Sequence, residues 1–208
     1  MKLYGESDTI QRRYAIDTIF QLKRNNQQLA LDDYALSDET VGFVKNRNLH
    51  WANRDLHQLI SSFNYSLVQV YDKSLNLIYS SSDANISDLD SFRLEPGLID
   101  SLASGQKLFY FSKHKQVVLA NAVASIHRSD DLQRNTPIQG YLLISQAWDF
   151  KFLADMAKSL NYDIRISSNE PTAEDNTEQY NTKIIRPITD WNARPVAWLI
   201  FYSSNPYL

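Results

Sequence analysis

Gln116-Val-Val-Leu-Ala-Asn-Ala-Val-Ala-Ser-Ile126 is the longest strand predicted from this sequence. Successive side chains of a β-strand point to opposite faces of the sheet, so the segment divides into two sets. One set is Val118 and three alanines, which suits close packing against a helix. The other set mixes leucine and valine with Asn121 and Ser125. That mixture of apolar and polar side chains is typical of a face that binds a small ligand.

Other segments of strand-like composition lie on both sides of this one. Residues 66–71 and 75–79 are separated by the turn-forming residues 72–74, which predicts a β-hairpin. Residues 107–112 are joined to the long strand by a short turn, residues 113–115, which also predicts antiparallel pairing. Further strands are predicted at residues 140–146, 162–166, 183–188 and 196–202.

The first third of the chain predicts helices. Residues 7–43 contain one glycine and no proline, so a long helix is expected there. A second helix is predicted at residues 51–63, where apolar residues recur at helical spacing. A third is predicted at residues 149–160, and a short one at residues 98–103, after Pro96-Gly97.

Within the long predicted helix, small and apolar residues alternate spacings of four and three around an asparagine. This is the spacing of a coiled-coil seam, and it favours pairing with another helix, for instance from a second copy of the chain. The alternative is that the helix lies on the sheet of its own chain. The seam residues are Ala15, Ile19, Leu22, Asn26 and Leu29.

The order of the elements predicts an α+β fold with a mainly antiparallel sheet. We expect a single domain over residues 1–208. Residues 1–63 supply the long helix and the second helix, and residues 64–208 supply the sheet, short helices and C-terminal strands. Neither the alternating strand–helix units of a Rossmann fold nor its GxGxxG motif occurs in the sequence.

The composition of the 208 residues excludes several classes of function. The formal net charge is -3 and the basic residues are scattered, which argues against nucleic-acid binding. There is no cysteine, so disulfides and thiolate metal sites are excluded. The histidines have no metal-binding spacing, so neither a metal nor a cofactor is expected. They are His50, His57, His114 and His127.

Two polar clusters invite a catalytic interpretation. Acidic side chains within residues 32–39 could supply a general acid and base, but acidic residues at such a point more often cap or end a helix. Ser125-Ile-His127, followed by Asp130-Asp131, contains the residue types of a catalytic triad. Beside a polar connection, these residues are more typical of a solvated turn. We therefore expect no catalytic residue.

No apolar stretch reaches the about 20 residues that a membrane-spanning helix needs. No secretory signal is visible, and Met1 is followed directly by polar residues. These features favour a segment excised from a longer protein, with a complete cytoplasmic protein as the alternative.

The end of the long predicted helix carries the most specific pattern in the chain. It is Asp33-Tyr-Ala-Leu-Ser-Asp-Glu-Thr40. The pattern resembles the motif of the fourth class of CHASE domain, the sensory extracellular domain associated with cyclases and histidine kinases. Tyr34 takes the place of the first tryptophan of that motif, and Ser37 departs from its second aromatic residue. The matching positions are Asp33, Ala35, Asp38, Thr40 and Phe43.

Shorter matches to the same family follow in the family's order, so the resemblance covers about the whole chain. They lie at residues 51–56, 68–72, 125–126, 140–143 and 194–197.

The resemblance implies a PAS-like, or Cache-like, fold in which the long helix packs on one face of the sheet. It implies a periplasmic sensory domain of a bacterial transmembrane receptor, with a membrane helix on either side of it. The output of that receptor would be a histidine kinase, a diguanylate cyclase or phosphodiesterase, or a chemotaxis module. The sensory segment itself would not be an enzyme, and a homodimer would suit its signalling.

In a PAS-like sheet, the face opposite the long helix closes a pocket with short helices. We expect an unidentified small molecule to bind there and to shift the packing of helix against sheet. The alternative for each polar residue is that other side chains or water satisfy it. The residues expected to line the pocket are Gln69, Tyr71, Tyr110, Asn121, His127 and Tyr141.

Two other functions remain open at this point. The first is a ligand-free module that dimerises or binds a periplasmic partner protein. The second, which the sequence favours least, is a soluble enzyme.

Overall fold

The computed structural model describes residues 2–103, 107–171 and 180–204. Over these residues the fold is α+β, and a long N-terminal helix lies across antiparallel sheets. The predicted fold class is therefore confirmed. The helices are α1 Lys2–Ala35, α2 Asp38–Asn46, α3 Leu49–Asp55, α4 Gln58–Ser61, α5 Ile99–Ala103 and α6 Phe150–Leu160.

The strands of the described residues form two sheets. They are β1 Leu67–Asp72, β2 Leu77–Ser82, β3 Leu108–His114, β4 Val117–Ile126, β5 Gly140–Ala147, β6 Asp163–Ser167, β7 Tyr180–Thr189 and β8 Pro195–Ser204. The first sheet has the order β2-β1-β5-β4-β3, and the second has the order β6-β8-β7. Every pairing is antiparallel.

The prediction of one unbroken helix over residues 7–43 is wrong, because α1 ends at Ala35 and α2 begins at Asp38. Ser37 has an extended backbone between them (φ -142°, ψ 128°), and its side chain accepts a hydrogen bond from the backbone N–H of Thr40. Leu36 forms a β-bridge with His127. The chain leaves the helix here because the N-cap and the bridge satisfy backbone groups that a continuous helix would have used.

The prediction of one helix over residues 51–63 is also wrong. The chain forms α3 and α4 with a break at Leu56 and His57, whose backbone N–H groups both bond to the carbonyl of Ala52. Asn48 caps the start of α3 by accepting a hydrogen bond from the N–H of Trp51. The predicted apolar residues are still buried in part, since Leu56 and Leu59 are fully buried.

A single, mainly antiparallel sheet was predicted, but the strands after α6 form a second sheet. A shared apolar cluster joins the two sheets through α1 and α6. In this cluster, the ring centroid of Trp148 lies 5.1 Å from the ring centroid of Phe20 and 4.9 Å from that of Phe111. The cluster includes Ile16 and Phe20 of α1, Val118 of β4, Leu153 and Met156 of α6, and Ile184, Leu199 and Phe201 of the second sheet.

The two faces of the first sheet are used as the strand alternation predicts. The small-residue face packs against α1 and α2, with Ala122, Ala124, Leu31 and Phe43 in one buried cluster. The opposite face is covered by residues 89–103, here named the cap. The cap contains the 3-10 turns Leu89–Ser91 and Pro96–Leu98 and helix α5.

Helix α1 has one row of residues buried against the sheets and another row exposed to solvent. Its buried residues are Ile16, Phe20, Gln27, Leu31 and Ala35. The predicted seam lies on a different face: Leu22 is 54% exposed and Leu29 is 64% exposed, and only Ile19 packs partly into the core. The helix therefore packs on the sheets of its own chain, and the seam residues remain mostly exposed to solvent.

Candidate functional site

Gln69 and Tyr71 stand on the cap-facing side of β1 and join that strand to the cap. Gln69 Nε2 donates to the carbonyl of Phe92 (3.0 Å) and to the hydroxyl of Ser80 (3.3 Å). The Tyr71 hydroxyl donates to Gln69 Oε1 (2.6 Å) and accepts from the backbone N–H of Leu94 (3.0 Å). Both side chains are buried, so their polar groups are satisfied by each other and by the cap backbone.

Asn121 forms a second polar group in the middle of the same face. Its Nδ2 donates to the hydroxyl of Ser112 on β3 (2.8 Å), and its Oδ1 accepts from the hydroxyl of Ser145 on β5 (2.7 Å). The residue is fully buried. Asn121 thus links three neighbouring strands, and its hydrogen bonds are already made.

Tyr110 differs from these residues because its buried hydroxyl has no hydrogen-bond partner among the described residues. The residue is 3% exposed. Burial raises the pKa of Tyr110, and the charge of the nearby Glu95 adds to that effect, so the hydroxyl is neutral. An unpaired buried hydroxyl costs about 1–3 kcal/mol. A bound molecule that pairs with it would recover that free energy.

Tyr141 completes a set of tyrosines on this face. It lies opposite Tyr71 of β1 and Ser125 of β4 in the strand register. Burial raises the pKa of Tyr141 as it does for Tyr71. Tyr71, Tyr110 and Tyr141 belong to one apolar cluster with the cap, so the structure brings these three predicted pocket residues together.

His127 lies apart from that cluster, just beyond the end of β4. Its Nε2 is 2.9 Å from the Ser125 hydroxyl, and its Nδ1 is 2.9 Å from Asp131 Oδ2. The order of contacts is that of a serine hydrolase triad. However, Ser125 is 0% exposed and His127 1% exposed, so a substrate cannot reach the hydroxyl. The expectation of a solvated turn is wrong as well, because this is a buried network.

Asp131 is the acceptor around which the polar connection after β4 is folded. Its carboxylate accepts from the Thr136 hydroxyl (2.5 Å) and from the backbone N–H groups of Thr136 (2.9 Å) and Asn135 (2.8 Å). These hydrogen bonds, the Thr136 side chain first, lower the pKa of Asp131 to about 2. Burial, followed by the charge of Arg134, lowers the pKa of His127. A neutral imidazole can donate from Nδ1 to Asp131 and accept the Ser125 hydroxyl at Nε2.

An ionic group that no sequence pattern indicates ties this connection to α1. Arg134 donates to Asp32 Oδ1 (2.9 Å) and to the carbonyl of Ser125, and its side chain is 5% exposed. Lys107, just before β3, donates to the other oxygen of Asp32 (2.6 Å). Asp32 and Arg134 are too distant in sequence for any local spacing to reveal this pair.

The helix-end motif docks on the same connection. Ala35 is fully buried, and its carbonyl accepts the N–H of His127 (2.9 Å). The Asp38 carboxylate accepts from the Ser129 hydroxyl (2.8 Å). The Thr40 hydroxyl is buried and has no partner within the described part of the chain.

The other motif residues also lie away from the cap. The Tyr34 hydroxyl donates to the carbonyl of Asp55 at 3.4 Å, and Asp33 is exposed. The motif therefore positions the end of α1 against the sheet.

Gln27 is a buried polar residue of α1 that sequence reasoning missed. Its Nε2 donates to the carbonyls of Ala120 on β4 (2.9 Å) and Ile144 on β5 (2.8 Å). A polar residue on the buried stripe of the helix was the available signal. The contact connects α1 to the two central strands of the first sheet.

Two surface grooves lie away from the predicted pocket residues. One, of about 570 Å³, is bounded by α1, the end of α4 and α6, and includes Lys23 and Phe152. Another, of about 670 Å³, lies between α6 and β6 beside Phe150, which is 89% exposed.

Within the described ranges, no group of three or more His, Asp or Glu side chains could hold a metal ion. None of the helices in the described part combines the length and apolar character needed to cross a bilayer.

Comparison with known proteins places the fold. The model of the CHASE4 domain family matches residues 19–167, more than half of the chain, which confirms the predicted resemblance. The chain is similar to the crystal structure of the periplasmic domain of Vibrio cholerae LuxQ, with 15% identity and a TM-score of 0.60 over 94% of this chain and 99% of that one. No curated protein matches the sequence.

Two further crystal structures have the same fold. The selenomethionine form of the LuxQ periplasmic domain has 13% identity and a TM-score of 0.57, over 96% of this chain and 99% of that one. The extracellular domain of vpHK1S-Z8, described as a histidine kinase, has 11% identity and a TM-score of 0.56, over 96% and 94%. At these identities the likeness concerns the fold alone.

Proposed function

The chain belongs to the CHASE4 domain family and is the extracytoplasmic sensor of a receptor, and from this premise we propose that it senses a small molecule beneath the cap. The domain is periplasmic and is not itself catalytic. Its site would be the side of the first sheet that carries the three tyrosines.

The unpaired hydroxyl of Tyr110 is the observation that carries this proposal. Folded proteins satisfy most buried polar groups, so an enclosed hydroxyl without a partner marks a place where another molecule gains free energy. Glu95 of the cap lies close enough for its charge to affect this hydroxyl. A ligand seated here would therefore meet β3 and the cap together.

Ligand binding would change how the cap is held. The cap backbone is bonded to Tyr71 at Leu94 and to Gln69 at Phe92. A ligand that takes over one of these hydrogen bonds favours a different cap position, and it shifts the population by its difference in affinity for the two positions.

Helix α1 would carry the change toward the membrane. Gln27 bonds to β4 and β5 at once, so a movement of these strands relative to each other pulls on the helix. The end of the helix is also held, through the bond between Ala35 and His127. A small slide or rotation of α1 is the expected output.

A homodimer is part of the proposal. The outward seam of α1 presents Leu22 and Leu29 to solvent at coiled-coil spacing. Pairing of two such helices would bury these leucines and place two membrane helices side by side, which is the geometry of a symmetric receptor.

We further propose that residues 1–208 fold as one unit. The apolar cluster around Trp148 takes residues from both sheets, α1 and α6. Separating the sheets would expose this cluster to water, which supports a single cooperative transition.

The output of the parent receptor would be a histidine kinase, or a cyclase or phosphodiesterase of cyclic di-GMP. The kinase is favoured because a solved structure of the same fold is described as the extracellular domain of a histidine kinase. Membrane helices on both sides of the segment would connect the sensor to that output.

The alternative is a module that binds no small molecule and instead dimerises or binds a periplasmic protein. One observation favours it: the exposed Phe150 beside the groove between α6 and β6 is an apolar surface of the kind that partner proteins cover.

A thermal-shift screen of amino acids, organic acids, amines, sugars and nucleosides tests the proposal. A compound that binds only the folded state must raise Tm, by an amount that corresponds to about 2.7 kcal/mol at one hundred times its Kd. We expect at least one chemical class to do so. If no class raises Tm, the result contradicts the small-molecule proposal and favours the partner-binding module.

A further inference from the structure

Trp191 belongs to the turn between β7 and β8, yet its ring lies against the cap of the first sheet. The indole Nε1 donates to Glu95 Oε2 at 2.8 Å. A Cβ built on Gly97 would lie 3.1 Å from Cη2 and 3.2 Å from Cζ2 of the indole, so the ring packs directly on the cap backbone. This contact joins the hairpin of the second sheet to the cap.

The turn that carries Trp191 is held firmly. Asp190 Oδ1 accepts the backbone N–H groups of Asn192 and Arg194, both at 2.8 Å. The N–H of Asp190 in turn donates to the carbonyl of Arg194 at 2.8 Å. A turn held by these hydrogen bonds moves with its strands, so the position of the indole follows that of β7 and β8.

On the cap side the contact continues to the interior of the first sheet. Glu95 follows Leu94, whose N–H binds the Tyr71 hydroxyl (3.0 Å), and that hydroxyl binds Gln69 (2.6 Å). Every step from Gln69 of β1 to Trp191 is a hydrogen bond or a covalent neighbour.

We propose that Trp191 is a positioning residue that holds the cap through Glu95 and Gly97 and couples its position to the β7–β8 hairpin. The state of the site beneath the cap then reaches β8 by a route independent of α1. This inference rests on the proposed function, since it assigns a second output to the same site.

The coupling follows from the geometry of the two contacts. A hydrogen bond of 2.8 Å and a ring in van der Waals contact both weaken steeply when the cap moves by about 1 Å. The cap therefore has a docked position, in which the hairpin is held, and a released position, in which the hairpin loses a support.

Amide hydrogen exchange of the whole chain tests the docking itself. Trp191→Phe replaces the indole by a smaller ring that has no N–H donor, and Glu95→Ala removes the acceptor. Each variant should raise the exchange rates of amides in residues 92–102 by about fivefold, the factor that corresponds to one net hydrogen bond. The double variant should show no further rise, because both changes remove the same bond. Additive effects would overturn the proposal.

The coupling between the cap and the hairpin needs a measurement of its own, one that would not change if Trp191 only stabilised the fold. Tyr71→Phe releases the N–H of Leu94 from inside the first sheet, far from the hairpin. It should raise the exchange of amides in residues 188–196 about threefold in the native background, and not at all in Trp191→Phe. Trp198→Phe is the matched control, since it changes a tryptophan of the same hairpin that lies on β8, and it should leave the response to Tyr71→Phe intact.

The outcomes separate this inference from the function on which it rests. If hairpin exchange fails to respond to Tyr71→Phe, or responds equally with and without Trp191, the coupling is refuted. A compound that still raises Tm in the thermal-shift screen would in that case leave the sensing function standing.

Discussion

A Cβ atom built on Gly140 would lie 2.4 Å from the backbone oxygen of Tyr71. Gly140 begins β5 at the point where it runs between Asp72 of β1 and Ile126 of β4. Strands β1 and β5 approach so closely there that no side chain fits. Strand pairing, and with it the position of Tyr71 beneath the cap, depends on this glycine.

Gly140→Ala should therefore lower the free energy of unfolding by about 1–3 kcal/mol, the usual cost of overpacking. The control is Gly42→Ala in α2, where nothing lies within 4 Å of the added atom. Alanine in a helix is more stable than glycine by about 0.5–1 kcal/mol, so this variant should gain stability. Urea unfolding of both variants measures the change in the free energy of unfolding, which should be a decrease for Gly140→Ala and an increase for Gly42→Ala. A Gly140→Ala protein as stable as the native one would contradict the strand geometry.

Gln27→Ala should destabilise the domain by about 2 kcal/mol, because two buried hydrogen bonds to β4 and β5 are lost together. Gln21→Ala, at an exposed position of the same helix, should change stability by less than about 0.5 kcal/mol. Equal unfolding midpoints for the two variants would show that α1 is not connected to the sheet through this side chain.

Stability should fall as the pH is lowered below the ordinary histidine range. Burial lowers the pKa of His127 from its ordinary 6.5, so the unfolded chain takes up this proton first and stability decreases from about pH 6.5 downward. Asp131, with a pKa lowered to about 2, adds a further loss between its ordinary 3.8 and that value.

In His127→Gln the first part of this slope should disappear and the part due to Asp131 should remain. His50→Gln changes an exposed histidine and should keep the full slope. Urea unfolding between pH 7 and 5 gives the part of the slope due to His127, and unfolding between pH 4 and 2 gives the part due to Asp131, whatever the absolute stability of each variant. A slope unchanged by His127→Gln would contradict the buried neutral imidazole.

The exposed seam of α1 predicts how charged substitutions affect dimer formation. The double variant Leu22→Glu and Leu29→Glu should shift the chain from dimer to monomer in sedimentation velocity, because it replaces apolar side chains of the proposed interface by like charges. Ile10→Glu alters an exposed residue on another face of the helix and should leave the dimer intact. Identical sedimentation of native and seam variants would rule out pairing through this face.

The alternation of side chains along β4 was enough to predict which face meets the helix and which meets the cap, because a strand has a fixed period of two. Ala122 and Ala124 pack toward α1, and Val123 lies under the cap. The family motif added the sensory function, which composition alone leaves open.

The features that could not be predicted from the sequence depend on contacts between residues that are distant in the chain. The helix break at Ser37 depends on a bridge between Leu36 and His127, which are distant in the chain. The polar residues of the predicted pocket are mostly satisfied by partners that local spacing does not reveal, and Tyr110 stands out only once Gln69 and Tyr71 are seen to bond to each other.

The most direct measurement compares Tyr110→Phe with Tyr14→Phe, whose ring is 74% exposed, in the presence of a compound that raises the Tm of the native domain. Without the compound, Tyr110→Phe should be at least as stable as the native chain, because the hydroxyl has no hydrogen-bond partner among the residues that the structure describes. With the compound, Tyr110→Phe should lose most of the rise in Tm, and Tyr14→Phe should keep all of it. A full rise in Tyr110→Phe would contradict a binding site beneath the cap.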